Sequence, residues 1–265
     1  MDPTGLFATT ALAVAGCMGA LWLLSLALRN ASIVDVFWGL GFVGIAAIAL
    51  LRTPGDGTPR RWLLAAMVGL WGLRLAGHLL WRNAGHGEDP RYQAMRRHWG
   101  ARFWWVSLAS VFALQGVLMW IVSLPVQLGL FAPGGPLGAL DALGVLLFAL
   151  GMFFETVGDW QLARFKADPA NAGRVMDRGL WRFTRHPNYF GDVCVWWGIF
   201  AVALATPYGP WSVVGPALMT FLLLRVSGVS MLERSIHKRR PDYVEYAKRT
   251  SAFLPRRPRR PRRHS

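Results

Sequence analysis

The stretch FETVGDWQLARFKADPANAGRVMDRGLWRFTRHPNYFGD gathers more reactive side chains than any other part of the chain. It holds the acids Glu155, Asp159 and Asp192 and the cations Arg164, Lys166, Arg174, Arg178, Arg182 and Arg185. It also holds Gln161, Asn171, His186, Asn188 and Tyr189. Glu155 and Asp159 are four apart, so they share a helix face. Glycines and prolines break the middle into loops. His186-Pro187-Asn188 reads as a helix start, with Pro in the first turn and capping neighbours beside it. A helix N-terminus ringed with arginines attracts an anion. The chemistry expected is therefore the binding of a phosphorylated or carboxylated cofactor at a membrane surface, its reactive end reaching into an apolar bundle. A plain basic loop needs no Asn, His, Tyr or paired acids.

The elements that must hold this region are apolar. Of 265 residues 54% are hydrophobic, 14 are Trp and only 16% are charged. That balance points to an integral membrane protein. Seven runs are long enough to cross a bilayer, which takes about 20 residues each. They are Leu6–Leu28, Ile33–Leu51, Trp62–Trp81, Trp104–Phe131, Leu137–Val157, Tyr189–Thr206 and Trp211–Met231. The expected fold is an all-α, polytopic membrane protein: a bundle of about seven transmembrane helices with cytoplasmic cofactor-binding loops. Residues 1–254 form one membrane-embedded domain, with a cofactor half over about 137–254, and 255–265 form a disordered basic tail. Pro125 kinks the fourth run or leaves its end in the interface. The start, MDPTGLFATT, has no basic n-region, so the first run reads as a retained span. Cys17 and Cys194 lie in apolar runs and read as buried thiols.

The net charge of +15 is unevenly placed. With seven spans, 24 of the 29 Lys and Arg fall on the side of the C-terminus. That side is then cytoplasmic and the N-terminus outside. Arg52, Arg60 and Arg61 dissent. Topology and anionic lipid account for the charge, and nucleic acid is not the expected partner.

Ionisable residues inside apolar runs are costly and usually functional. Asp35 sits near the start of the second run. Arg74 and His78 share a face of the third, and Arg225 lies in the seventh. The bland account is a structural Asp35–Arg74 ion pair. GLGFVG at Gly39–Gly44 lies inside an apolar helix, so it reads as close helix packing rather than a dinucleotide fingerprint. HGED at His86–Asp89 reads as a turn before Pro90, and no metal site is expected.

Two segments carry a family resemblance. DWQLARFKADPANAGRVMDRGLWRFTRHPNYFGD and LLLRVSGVSMLERSIHKRRPDYVEYAKRTSAFLPR resemble the steroid 5-alpha-reductase family, most closely its bacterial branch. SIVDVFWGLGF and the stretch Arg97–Gly100 fit the same branch. The resemblance implies a seven-helix membrane reductase that uses NADPH to saturate a carbon–carbon double bond conjugated to a ketone. It carries a cofactor role onto Asp159, Lys166, Arg174, Asn188, Asp192 and Tyr246. Glu155 stands where that family has asparagine, and Asp192 where it has glutamate. We extend the cofactor set to Arg164, Arg178, Arg185, His186, Tyr189, Arg225, Glu233, Tyr243 and Lys248. The acid that holds the ketone corresponds to Asp35, whereas the family's third-span tyrosine corresponds to Trp71.

The expected activity is thus NADPH-dependent reduction of an apolar enone, a 3-oxo-delta-4 steroid or similar lipid entering from the bilayer of the bacterial inner membrane. Asp35, with Tyr92 and His78 as further candidates, polarises the ketone as charge builds on its oxygen. Asp35 does so only when protonated, which a low-dielectric site favours. RHPNYFG also resembles the isoprenylcysteine carboxyl methyltransferases, so an S-adenosylmethionine-dependent membrane methyltransferase is the alternative. A lipid-binding membrane scaffold is a third, non-enzymatic class.

Overall fold

The structure, a computed structural model, describes residues 3–53, 58–132, 135–226 and 242–258. Helix dominates. Among the described residues the only β pairing is an isolated bridge between Thr184 and Ser251. Six helical stretches are long and apolar enough to cross a membrane: Pro3–Leu28, Ile33–Arg52, Pro59–Asn83, Pro90–Val122, Ala139–Ala167 and Gly209–Val226. The sixth expected span is helical over Pro187–Leu204 but is not among them. Asn188, Tyr189 and Asp192 dilute its first turns. The seventh expected span ran to Met231, and residues 227–241 lie outside the described residues. The chain divides into two compact units, residues 1–142 with 199–215 and residues 143–198 with 216–265.

The first unit contains α1 (Pro3–Leu28), α2 (Ile33–Arg52) and α3 (Pro59–Asn83). α1 is apolar all round, with Leu12 74% exposed. In water that would be untenable, but a lipid-facing helix requires it. α2 and α3 meet at Gly39 and Gly72. A Cβ on Gly39 would lie 2.3 Å from the Gly72 carbonyl oxygen, so only glycine permits this approach. Gly41 faces Met119, whereas Gly44 has open space beside it. The packing role expected of GLGFVG therefore falls on two of its glycines. Around the contact, Val34, Phe42, Ile45, Leu64, Val68 and Trp71 are fully buried.

The fourth helical stretch begins with the polar α4 (Pro90–Trp99). It then runs through a 3-10 turn, α5 (Phe103–Ser107), a π-helical turn (Leu108–Ala113) and α6 (Leu114–Val122). The break comes at Ser123, before α7 (Leu124–Phe131). Pro125 has no N–H to continue the α6 ladder, so the kink expected there is realised two residues earlier. α7 is buried rather than interfacial, and its Gln127 is fully enclosed. That side chain accepts from the Thr10 hydroxyl at 2.7 Å and donates to Ser123 Oγ at 2.8 Å. A buried amide needs such partners.

The dissenting arginines of the second loop are also accounted for. Arg60 is buried, and its guanidinium grips both Asp141 oxygens at 2.8 Å and donates to the Pro136 carbonyl at 2.7 Å. Arg61, also buried, donates to the Thr53 carbonyl at 2.8 Å. Both contribute to packing at that end rather than acting as free surface charge.

The second unit is organised by α8 (Ala139–Ala167) and α9 (Pro187–Leu204) from Leu143 and up to Gly198. Glycines let their backbones touch. A Cβ on Gly191 would lie 2.6 Å from the Gly151 carbonyl oxygen, and one on Gly198 2.7 Å from that of Gly144. α8 continues ten residues beyond the apolar run that ended at Val157. This polar extension is held by α8's neighbours. Trp181 Nε1 donates to the Gly158 carbonyl at 3.0 Å, and Gln161 accepts from the Leu180 amide at 2.9 Å. The described part of the unit is completed by α10 (Val214–Phe221) from Pro216 onward, a π-helical turn (Leu222–Val226) and α11 (Asp242–Arg249).

Candidate functional site

In each unit some of the residues singled out in the sequence gather into a polar cluster. In the first unit it is built on Asp35, one turn into α2. The Asp35 carboxylate accepts from the Tyr92 hydroxyl at 2.6 Å and from the Arg91 guanidinium at 2.7 Å. Gln115 Nε2 donates to the same Tyr92 oxygen at 3.2 Å. A directed chain results, Gln115 to Tyr92 to Asp35, with Arg91 balancing the charge. Arg91 stays about half exposed at the side chain while Tyr92 is buried.

The loop before α4 delivers these groups. Asp89 caps α4 by accepting from the Arg91 amide at 2.8 Å, and its own N–H donates to Ser32 Oγ at 2.6 Å. Glu88 accepts from the Ala31 amide at 2.8 Å and from Arg96 at 2.8 and 3.0 Å. These bonds tie α4 to the α1–α2 turn. They also give the HGED acids a structural task. Burial works against the Glu88 carboxylate, but Arg96 and the Ala31 amide hold it below the usual glutamate range. Asp89 is likewise held low by Arg91.

Two of the three residues expected to polarise a ketone, Asp35 and Tyr92, are thus in direct contact. His78 lies on α3, its ring 6.0 Å from Trp81. The bland Asp35–Arg74 pair is replaced by Asp35–Arg91. Trp71, at the expected tyrosine position, is fully buried edge-on against Phe42. Gln115 and Arg91 were missed in the sequence. Gln115 had a usable signal, an amide in an otherwise apolar run. Arg91 had none, because its approach to Asp35 depends on the folded loop.

In the second unit the cluster lies where α8 meets the start of α9. Asn188 Nδ2 donates to Asp159 at 3.2 Å. Glu155 is buried, and a Cβ on Gly191 would come within 2.9 Å of its Cγ. Asp192 follows Asn188 by four residues on the same face. The His186 ring stacks on Tyr189, centroids 5.4 Å apart and planes within 5°. Asp159 thus meets Asn188, Glu155 lies against Gly191, and His186 lies against Tyr189, while α9 starts at Pro187 as expected.

Arg164, Lys166, Arg174 and Arg178 are exposed on the end of α8 and the following loop, with Arg164 over the Trp160 ring at 5.4 Å. The α8 acids Glu155 and Asp159 face the first turns of α9. Arg185 spans to the C-terminal segment, donating to the Ala247 carbonyl at 2.6 Å and the Thr250 carbonyl at 3.0 Å. Tyr246 is buried and donates to the Trp181 carbonyl. Burial, reinforced by Tyr243, pushes its phenol above the ordinary range. Tyr243 lies edge-on against Tyr246, and Lys248 pairs with Glu245 at 2.6 Å on the surface. Arg249 bonds Asp177 at 2.6 Å. Together these contacts clamp α11 onto the loop. In the tail, the Arg256 amide donates to the Phe183 carbonyl at 2.9 Å. Arg225 is exposed on the π-helical turn, and Glu233 lies outside the described residues.

Comparison with known proteins identifies one family. The family model described as "Protein of unknown function (DUF1295)" matches residues 21–250, and the chain belongs to that family. No curated protein and no solved structure matches it.

Proposed function

We propose that this member of a family of unknown function is a membrane reductase that draws hydride from NADPH and saturates an enone in an apolar, lipid-borne substrate of the steroid type. One observation carries the reading: the α8–α9 face presents Asp159 bonded to Asn188 with Glu155 packed against Gly191, and the end of α8 and the loop that follows carry exposed Arg164, Lys166, Arg174 and Arg178. These cations suit the pyrophosphate and 2′-phosphate, which take charge-assisted bonds from such groups. The acid–amide face suits the ribose hydroxyls and carboxamide, which need both acceptors and a donor.

Asp35 and Tyr92 form the carbonyl-holding pair. Asp35 receives two donors, so the movable proton of the resting pair sits on Tyr92. NADPH, when bound, would supply hydride to the β-carbon of the enone. Charge moves to the ketone oxygen, where the Tyr92 hydroxyl can turn to donate. A proton from solvent would complete the saturated ketone at the α-carbon. We further propose seven spans, with α9 as the sixth, placing the C-terminus in the cytoplasm of a bacterial cell.

A second reading has its own support. Three carboxylates near the start of α9 would also suit the sulfonium and amine of S-adenosylmethionine, and hence a membrane methyltransferase. Titrating the purified protein with NADPH, NADH and S-adenosylmethionine decides between them. The reductase reading expects NADPH binding in the micromolar range, about −8 kcal/mol, weakened by salt and stronger than that of NADH. Saturable binding of S-adenosylmethionine with none of NADPH overturns it.

A further inference from the structure

The exposed side of α4 and the bend after it form a second functional surface. α4 follows the span Pro59–Asn83 and leads into the rest of the span Pro90–Val122. Its polar sequence therefore sits at one end of two spans, at the bilayer–water boundary. Tyr92 points inward from α4 and is buried. Arg96 is held by Glu88 and lies 4.5 Å over the Phe103 ring. Arg97 and Arg102 are exposed instead, and among the described residues neither forms an ion pair. Within the same nine residues Trp99, Trp104 and Trp105 are 41%, 55% and 48% exposed. Gly100, at φ 50°, turns the chain between them. The Trp104 backbone is anchored from α1 by Trp22 Nε1 at 2.8 Å.

Two arginines without acidic partners, flanked by three half-exposed tryptophans at the membrane boundary, match one partner chemistry. The guanidinium groups suit a phosphodiester anion, and the indoles suit the glycerol and upper acyl region. We propose that Arg97 and Arg102, framed by Trp99, Trp104 and Trp105, bind the headgroup of an anionic phospholipid, and that this lipid steadies α4 and with it the contact of Tyr92 and Arg91 with Asp35. The site is independent of the cofactor reading. It requires neither NADPH nor S-adenosylmethionine, and its test does not depend on turnover.

Full-length protein in mild detergent is titrated with phosphatidylglycerol or phosphatidylcholine, and bound lipid is counted by native mass spectrometry. Wild type is expected to retain phosphatidylglycerol in preference to phosphatidylcholine. Arg97→Gln with Arg102→Gln should weaken phosphatidylglycerol by about 30-fold, since each basic contact at the surface contributes about fivefold. Arg97→Lys with Arg102→Lys should keep most of the binding. Arg256→Gln with Arg257→Gln removes equal charge from the tail and should weaken binding clearly less, because no tryptophan of the tail sequence frames those arginines. Loss as large in this tail control, or none in the Arg97 and Arg102 pair, overturns the site. Hydrogen exchange then reads the coupling. In nanodiscs of phosphatidylcholine with about one quarter phosphatidylglycerol, the α4 amides should exchange more slowly than in phosphatidylcholine alone. In the Gln pair the difference should vanish. Equal exchange of wild-type α4 in the two lipids overturns the steadying role.

Discussion

Gly191→Ala tests how strictly the α8–α9 face depends on backbone contact. The added Cβ would stand 2.6 Å from the Gly151 carbonyl oxygen and 2.7 Å from the Glu155 amide nitrogen. Both neighbours are backbone, so neither can swing aside. Restoring an ordinary contact of 3.4 Å requires the helices to part by about 0.8 Å. The Asp159–Asn188 bond, now 3.2 Å, would lengthen to about 4 Å under the same shift, beyond hydrogen-bond range. Overpacking of this kind costs about 1–3 kcal/mol. The gain in helix propensity from Gly to Ala offsets about 1 kcal/mol of that. The net expectation is a lower unfolding temperature in detergent and NADPH binding weakened by about fivefold or more, as one lost hydrogen bond implies. Gly44→Ala is the control, because nothing lies within 4 Å of its added Cβ. It should be neutral or slightly stabilising. If Gly191→Ala melts and binds like wild type, or Gly44→Ala suffers equally, backbone contact is not what positions Glu155 and Asn188.

Asp35→Asn and Tyr92→Phe should each lower turnover by about 10²–10⁴-fold while nucleotide affinity, read by titration, stays within a factor of two or so. Normal turnover in folded variants would make the pair structural. Asp141→Ala leaves buried Arg60 without its carboxylate and should destabilise by about 3–5 kcal/mol in thermal unfolding; an unchanged midpoint refutes that value. Glu88 has a folded-state pKa below its unfolded one, so its contribution is complete at neutral pH and is lost as pH falls from the ordinary glutamate range through the lowered value. Exchange of the Ala31 amide should therefore speed up on the acid side, beyond the intrinsic pH trend, and Glu88→Gln should abolish that acid limb. Reporter fusions should place the C-terminus in the cytoplasm and the N-terminus outside; one compartment for both ends contradicts seven spans.

The apolar runs, the helix start at Pro187 and the pairing of acids at Glu155 and Asp159 were legible because each is a local property. Bilayer thickness fixes the run length, Pro fixes φ, and a spacing of four fixes a face. The crowding of polar groups from Glu155 to Asp192 was visible for the same reason. Three features required the folded chain. Asp35 takes Arg91 and Tyr92 rather than Arg74, because the loop before α4 is tied back to the α1–α2 turn by Glu88 and Asp89, through contacts 57 residues apart in sequence. Arg60 and Asp141, 81 apart, cancel a charge that topology alone could not place. Arg185 and Tyr246 bond carbonyls of the clamp between the loop and α11, partners 62 and 65 residues away that no local spacing reveals. Residue type and spacing reveal what a side chain is able to bind. Which of several equally able partners it meets is set by where packing brings distant backbone together, and the sequence carries that only in the sum of all its contacts.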